Sequence, residues 1–399
     1  MARCFNSAPL PFRPPHSPSS SSYSTQLSSS MSRRILVSKT LVSRRGIQPS
    51  GAAEGTRVFV VSDLHTDYEE NMEWVKRLSD RKTVGDVLLV AGDVAETYAN
   101  FVQTMSILKD KFGRVFFTPG NHDLWLRRES SDLLCSLDKL DKLIEACHSV
   151  GVDTKPDVVD GIGIIPLYSW YHESFDTEKD ITGIRIPPLG MACKDFHVCK
   201  WPDELQNEEA SLARYFDSLN DENSKIIEDI MTGCSHIISF SHFLPRQELC
   251  PEKRMLYYPN LPKMIGSKYL ESRIRAIHGA GGRTTSCHVF GHTHFCWDAV
   301  LDGIRYVQAP LAYPRERRKK VNGGEDWLPL CLYSGRNFAE KLSNCYWSDY
   351  YNANPRTPDI TQPAPWVTRH MQHNQTLGGA SLMAFSPSKS HIRFSSLVI

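Results

Sequence analysis

The sequence predicts an α/β fold, because strands alternate with helices along the first part of the chain. Three short runs, at residues 57–62, 86–91 and 114–118, are almost continuously apolar, as in strands that are buried on both faces of a parallel sheet. Between them, residues 68–78 and 101–111 carry apolar side chains at helical spacing. In such strand–helix–strand units, ligands bind beyond the carboxyl ends of the strands.

Polar side chains follow each of these three strands. One such loop would be typical of an ordinary turn as well as of a functional site. Three in succession at one edge of a sheet favour a metal or acid–base site, and two side chains that are two residues apart at a strand end can bind one ion together. The residues after the first, second and third strands are Asp63 and His65, Gly92 and Asp93, and Gly120-Asn121-His122-Asp123.

The second half of the chain continues the pattern and adds three histidines. A strand at 236–241 ends in His242, and a strand at 287–290 ends in Gly291-His292-Thr293-His294. Two imidazoles with one residue between them lie on one side of an extended segment, an arrangement suited to metal binding. The remaining predicted elements are helices at 124–150, 204–216, 224–232, 268–277 and 338–351, strands at 161–169 and 327–333, an irregular aromatic insertion at 170–201, and a hairpin of 298–301 with 304–307.

Residues 1–54 differ in composition from the rest of the chain. The first 53 residues contain seven basic residues, fourteen serines and no Asp or Glu. Such a segment buries too little apolar surface to order itself, and its composition is typical of an organelle transit peptide. We expect a disordered transit peptide for the chloroplast stroma. The mitochondrion is the alternative, and a start at Met31 or later would leave the product in the cytoplasm.

The composition after this leader limits the possible partners. When the first 53 residues are removed, 39 of the 46 basic residues remain against all 45 acidic ones, a net charge of −6. This charge makes nucleic acid improbable as the main partner. No apolar run approaches the ~18 residues of a membrane span. The eleven cysteines include no Cys-x-x-Cys pair, so we expect reduced, mostly buried thiols. The oligomeric state stays open.

In this order, the motifs resemble the signature of the calcineurin-like metallophosphoesterases over about residues 57–310. The resemblance implies a two-sheet β-sandwich flanked by helices, which would be a domain at 55–345 of a plant-type, organelle-targeted member. Residues 346–399 would form a partly disordered C-terminal extension. Phosphate ester hydrolysis is the implied activity, with a small-molecule ester as the expected substrate and both monoester and diester possible.

The resemblance also assigns roles to individual residues. Two divalent ions, with manganese, iron or zinc favoured over magnesium by a nitrogen and oxygen ligand set, would generate a bridging hydroxide. His122 would be the general acid, and Asp123 would orient its ring. The ions would be held by Asp63, His65 and His294 at the first site, by Asn121, His242 and His292 at the second, and by Asp93 between them.

Two alternatives to a general phosphoesterase remain. One is a protein phosphatase, which is disfavoured because Val94-Ala95-Glu96 and Asp123 depart from the motifs of that branch. The other is a catalytically silent metal-binding scaffold on the same fold. Four arginines close to site motifs could bind phosphate oxygens, although solvent exposure alone would explain each of them: Arg127, Arg128, Arg246 and Arg315.

Overall fold

Two mixed β-sheets flanked by helices form the core of the computed structural model, as the sequence predicts for the fold class. The structure describes residues 55–370 except 80–82, 84, 130–134, 206–209, 280–285, 320–321 and 343–344. The predicted transit peptide lies outside the described residues, and so do residues 371–399 of the predicted extension. Targeting to an organelle therefore stays a prediction.

Eleven strands and ten α-helices are present in the described part of the chain. The strands are β1 (Val58–Val61), β2 (Val87–Ala91), β3 (Arg114–Thr118), β4 (Asp157–Val159), β5 (Ile162–Pro166), β6 (His236–Phe240), β7 (Ser286–Phe290), β8 (Trp297–Leu301), β9 (Ile304–Gln308), β10 (Leu330–Ser334) and β11 (Asn337–Phe338). The helices are α1 (Glu69–Arg77), α2 (Tyr98–Lys111), α3 (Ser136–Val150), α4 (Leu189–Ala192), α5 (Asp195–Val198), α6 (Ser211–Leu219), α7 (Ser224–Gly233), α8 (Lys268–His278), α9 (Pro314–Arg317) and α10 (Tyr346–Ala353).

The strand order brings the predicted motifs to neighbouring strand ends. The first sheet has the order β11-β10-β1-β2-β3, and β1, β2 and β3 run parallel, with Val61 opposite Val90 and Ala91 opposite Thr118. The second sheet has the order β4-β5-β6-β7-β9-β8, in which β6 and β7 are parallel. The carboxyl ends of neighbouring parallel strands lie at one edge, so the motif loops of each sheet emerge side by side.

Hydrogen bonds between the two sheets fix their motif-bearing ends against each other. The Ser62 N–H donates to the carbonyl of Ala309 (3.0 Å), and the Leu311 N–H donates to the carbonyl of Ser62 (2.9 Å). The Thr118 hydroxyl donates to the carbonyl of Leu167 (2.8 Å). The ends of β1 and β3 are thus joined to chain segments that follow β9 and β5.

Two predicted helices are shorter in the structure than in the sequence interpretation. Helix α3 begins at Ser136 rather than at 124, because the chain after Leu124 leaves the helical path and contacts the insertion: the Leu126 N–H donates to the carbonyl of Val198. The helix predicted at 338–351 begins only at Tyr346, because Phe338 pairs with Tyr333 in the second strand of a hairpin. Local apolar spacing does not reveal these long-range partners.

The segment after residue 345 packs on the domain as far as it is described. The ring of Tyr351 in α10 stacks on Trp297 of β8 at a centroid distance of 6.1 Å. Further along, Val367 is fully buried beside Met255 and Ala364. The described part of the predicted extension therefore belongs to the folded body.

Most of the described cysteines are buried, as the composition predicts. Eight of the ten cysteines within the described residues are buried, and none of these ten forms a disulfide. Among the described residues, none of the helices combines the length and apolar character needed to cross a bilayer.

Candidate metal centre

The motif loops carry their polar side chains on an unusual backbone. Five of the seven predicted ligands have positive φ angles, between 43° and 75°, where L-residues are sterically disfavoured. Strained backbone of this kind is concentrated at functional sites, where the surrounding structure holds it in place. The five residues are Asp63, His65, Asp93, His292 and His294.

Two glycines allow the loops to approach each other closely. A Cβ at Gly92, whose φ is +77°, would overlap the ring of His242. A Cβ at Gly120 would overlap the carboxylate of Asp93. These glycines are therefore required by the contact between motif loops, in addition to the turn that Gly92 makes.

The first cluster of ligand atoms joins the loop after β1 to the loop after β7. His294 Nε2 lies 3.3 Å from Asp63 Oδ1 and 3.0 Å from His65 Nε2. Ligand atoms that surround one metal ion at about 2.1 Å lie roughly 3 Å apart, so these distances suit a shared ion. Asp63, His65 and His294 form a group that could hold a metal ion.

The second cluster lies beside the first and uses loops from both sheets. Asn121 Oδ1 lies 3.1 Å from both His242 Nε2 and His292 Nδ1, and these two nitrogens are 3.3 Å apart. His242 and His292 also form a group with Asp93 that could hold a metal ion. The structure thus places all seven predicted ligands in two adjoining clusters.

Asp93 lies between the two clusters and faces both. Its Oδ1 is 3.4 Å from His242 Nε2, and its Oδ2 is 3.8 Å from His65 Nε2. Although burial by itself would raise the pKa of Asp93, His242 and His122 hold it well below the usual range. One ionised carboxylate therefore presents an oxygen to each cluster.

Hydrogen bonds on the far side of three histidine rings orient their free nitrogens. The carbonyl oxygens of Ala91 and Met264 can only accept, so His242 donates through Nδ1 (2.9 Å) and His292 donates through Nε2 (3.1 Å). His294 Nδ1 contacts Glu316 Oε2 at 2.8 Å. In each ring, the other nitrogen faces its cluster and can act as a ligand.

The charges around the clusters favour a cation. Burial by itself would lower the pKa of His294, but Asp63 and Glu316 raise it to about 10. At His65, burial and then His122 hold the pKa well below its usual range, which keeps the ring neutral as a metal ligand must be. The donor set and its electrostatics fit divalent metal ions.

Asn121 is held by a residue of the insertion. Its amide nitrogen donates to Asp195 Oδ1 (3.0 Å), and the indole nitrogen of Trp125 donates to the same oxygen (2.6 Å). The amide oxygen of Asn121 is thereby directed at His242 and His292. The insertion at 170–201 thus contributes to the geometry of the second cluster.

His122 lies beside the clusters and has several partners. Its Nδ1 is 3.7 Å from Glu96 Oε1, and its Nε2 is 3.3 Å from the Tyr313 hydroxyl. Trp125 stacks on the ring at a centroid distance of 3.6 Å. Although burial by itself would raise the pKa of Glu96, the neighbouring His122 and Arg127 lower it to about 2, so a carboxylate faces the ring.

The role predicted for Asp123 is wrong. Its carboxylate accepts hydrogen bonds from the backbone N–H groups of Asp93, Val94, Ala95 and Gly120, at 2.8–3.1 Å. These four donors occupy both carboxylate oxygens, and Glu96 is the carboxylate beside the His122 ring. Asp123 therefore fastens the loop after β2 to the loop after β3.

We expect Asp123→Asn to lower the free energy of unfolding by about 2–4 kcal/mol, because the amide NH2 would face two N–H donors and leave them unsatisfied. Chemical denaturation with both variants measures this. Asp153→Asn is the control: that carboxylate pairs with Arg114, each side chain about one-third exposed, and such pairs contribute less than about 1 kcal/mol. Unchanged stability together with lost activity in Asp123→Asn would return this residue to the role of orienting His122.

The four predicted phosphate-binding arginines separate into three groups. Arg315 and Arg127 line the cavity over the clusters, although Arg127 also donates to both oxygens of Glu96. Arg128 is 3.5 Å from Glu96 and more than half exposed. The prediction for Arg246 is wrong, because its guanidinium pairs with Glu248, Glu271 and Asp302, away from the cavity.

The cavity over the clusters has a volume of about 150 Å³. Asp93, Asn121, His292 and His294 form part of its lining, and residues 191–195 of the insertion form one wall. Lys194 in this wall adds a positive charge that the sequence interpretation did not identify. The sequence interpretation also did not identify Glu96, Asp195, Tyr313 and Glu316 as site residues. Of these, Glu96 alone could have been found from the sequence, since it stands three residues after Asp93.

Comparison with known proteins agrees with this fold. The family model of the calcineurin-like phosphoesterases matches residues 56–190, which contain the first three motif loops. This match and the relative described next support assignment of the chain to the calcineurin-like phosphoesterase superfamily. The chain is accordingly a hydrolase that acts on phosphoric ester bonds.

The chain is similar to one characterised relative in both sequence and structure. It is 26% identical over 287 residues to the [acyl-carrier-protein] phosphodiesterase PptH of Mycobacterium tuberculosis, a match that covers 68% of this chain and 82% of PptH. The crystal structure of the phosphopantetheinyl hydrolase PptH from that organism superposes with a TM-score of 0.51 at 25% identity, covering 71% of this chain and 99% of the other.

Proposed function

We propose that this protein is a dinuclear metal-dependent phosphodiesterase. The observation that carries the proposal is the position of Asp93, whose two carboxylate oxygens face two adjoining clusters of nitrogen and oxygen ligands. A single buried carboxylate between two such clusters is suited to bridge two ions. The nitrogen and oxygen donors favour manganese, iron or zinc.

The two ions would polarise a water molecule and the phosphoryl oxygens of the substrate. The side chains of this protein protonate the leaving group. His122 donates a proton from Nε2 to the leaving oxygen, because that nitrogen lies beside Asp93 and the Tyr313 hydroxyl while Nδ1 faces Glu96. The Glu96 carboxylate lies beside Nδ1 of the ring, and Trp125 restricts the rotation of the ring by stacking.

Within this reaction class, we propose a phosphopantetheinylated carrier protein as the substrate. The support is the similarity to PptH over most of both chains, together with basic groups at the cavity rim, Lys194 and Arg315, which suit the negative charge of a phosphodiester. Water adds across the bond between phosphorus and the carrier oxygen. Its oxygen goes to phosphorus and a proton goes to the carrier oxygen, so that phosphopantetheine and a carrier hydroxyl are released. The proposal replaces the small-molecule ester expected from the sequence.

The test combines metal reconstitution with a choice of esters. The full chain is stripped of metal and reloaded with manganese, iron, zinc or magnesium. It is then assayed on phosphopantetheinyl carrier protein, bis(p-nitrophenyl) phosphate and p-nitrophenyl phosphate. We expect about two ions per chain, release of phosphopantetheine, and faster turnover of the diester than of the monoester.

Two results would contradict the proposal in different ways. Tight binding of two ions without turnover of any ester would favour the metal-binding scaffold. Turnover of both aryl esters without release of phosphopantetheine would leave a phosphoesterase and remove the carrier protein as its substrate.

A further inference from the structure

A second cavity adjoins the one over the metal clusters. Its volume is about 360 Å³, within the range of about 300–1,000 Å³ that is typical of ligand pockets, whereas the cavity over the clusters has only 150 Å³. The smaller cavity suits a phosphoryl group, and the larger one has room for an organic substituent. Six aromatic rings line the larger cavity: Tyr257, Tyr258, Phe295, Tyr346, Trp347 and Trp366.

The two cavities share part of their lining. His294 and Leu261 contribute to both, and Glu316, which holds the His294 ring, also lines the larger cavity. A phosphoryl group at the metal clusters would therefore lie at the entrance of the aromatic cavity. His122 lines only the smaller cavity, so the aromatic cavity opens away from the proposed acid.

The wall chemistry suits an uncharged chain with scattered polar groups. The aromatic faces offer apolar contact, and the phenol groups of tyrosine can bond to amides. Apart from His294 of the metal clusters, Glu316 and Lys319 are the charged side chains among the lining residues, and Glu316 already holds His294 and the backbone N–H of Tyr313. A highly charged ligand would find few partners in this cavity.

The rings are exposed and yet held in place. Tyr346, Tyr257 and Trp366 are 58%, 47% and 38% exposed and line one cavity, and exposed apolar side chains grouped in this way mark binding sites. The Trp366 indole donates to the carbonyl of Met255 (3.2 Å), and the neighbouring Val367 is fully buried. The wall is therefore present before any ligand binds.

We infer that this aromatic cavity binds the pantetheine arm of the substrate while its phosphate lies at the metal clusters. The inference rests on the proposed function and extends it, because it gives the organic part of the ester its own subsite. Pantetheine is a flexible, uncharged chain with two amides, which matches apolar walls with phenol groups. The carrier, as the leaving group, then lies on the side of His122 and the basic rim.

The test measures binding of pantetheine itself, which has no phosphate and cannot be hydrolysed. The metal-loaded full chain is titrated with pantetheine and with adenosine by calorimetry. The variants are Trp366→Ala and, as the conservative control, Trp366→Phe. We expect pantetheine to bind more tightly than adenosine, Trp366→Ala to weaken its binding at least tenfold, and Trp366→Phe to weaken it less than threefold.

A kinetic readout separates this inference from the proposed function. In Trp366→Ala, kcat/KM for the phosphopantetheinyl carrier should fall at least tenfold relative to that for bis(p-nitrophenyl) phosphate, chiefly through KM. If wild type releases phosphopantetheine but Trp366→Ala changes neither pantetheine binding nor this ratio, the inference is overturned and the proposed function stands. Tighter binding of adenosine than of pantetheine would also overturn it. If wild type hydrolyses aryl diesters but not the carrier ester, the proposed substrate fails instead.

Discussion

Replacement of Asp93 by Asn should reduce the metal content from about two ions per chain to one or fewer and lower kcat/KM roughly 10³-fold. The variant keeps the shape of the side chain but removes the negative charge that both clusters share. A loss of about 4 kcal/mol of transition-state stabilisation corresponds to this factor. Elemental analysis of the purified variant, together with assays on a phosphodiester, measures both effects.

Asp86→Asn is a matched control for this experiment. Asp86 precedes β2 and Asp93 follows it, so the two aspartates flank the same strand at opposite ends. The buried Asp86 carboxylate pairs with Arg57 at 2.6 Å, so its replacement should lower stability but leave the metal content unchanged. If Asp93→Asn retained two ions and full activity, Asp93 would not be a bridging ligand.

His122→Ala should retain its metal ions and lose 10²- to 10⁴-fold in kcat, the range that a general acid contributes. The loss should be largest for an alkyl ester such as the phosphopantetheinyl carrier, because an alkoxide needs a proton to leave. It should be much smaller for bis(p-nitrophenyl) phosphate, whose phenolate leaves without one. Comparison of kcat for the two esters is therefore the measurement.

His148→Ala is the control for His122, because His148 is an exposed histidine near the end of α3. The alternative outcome is equally informative. His65, Asp93 and His122 also form a group that could hold a metal ion. A loss of metal from His122→Ala, with equal effects on both esters, would make His122 a ligand rather than the acid.

The strands and the motif residues at their ends could be predicted because both are local features. An apolar run that stops at Asp63 or at Gly92 marks the strand, and the polar residues that follow directly mark its functional loop. The Asp302-Gly303 hairpin was predictable for the same reason, and the structure confirms it with β8 and β9 on either side. Parallel strand pairing alone then places the separate loops at one edge of the sheet, so no further sequence signal is needed to predict that they meet.

The residues that orient the site were not predictable, because their partners are distant in sequence. Asp195 bonds to Asn121 across 74 positions, and Glu316 contacts His294 from helix α9. For Asp123, proximity in sequence was misleading. Its position next to His122 suggested that it orients the His122 ring, but its carboxylate accepts hydrogen bonds from the backbone of another loop. Arg246 likewise follows His242 in sequence and turns towards Glu271 and Asp302.

The positive φ angles at five candidate ligands also affect the stability of the whole protein. Each such residue costs about 1 kcal/mol, so the loops together oppose folding by roughly 5 kcal/mol. That is comparable to the entire net stability of many domains, about 5–15 kcal/mol. The sheets and the hydrogen bonds to Asp123 must therefore supply a surplus, and ions that bind only the folded chain add to it by mass action. Substitutions that relax these loops would raise thermal stability at the expense of metal affinity.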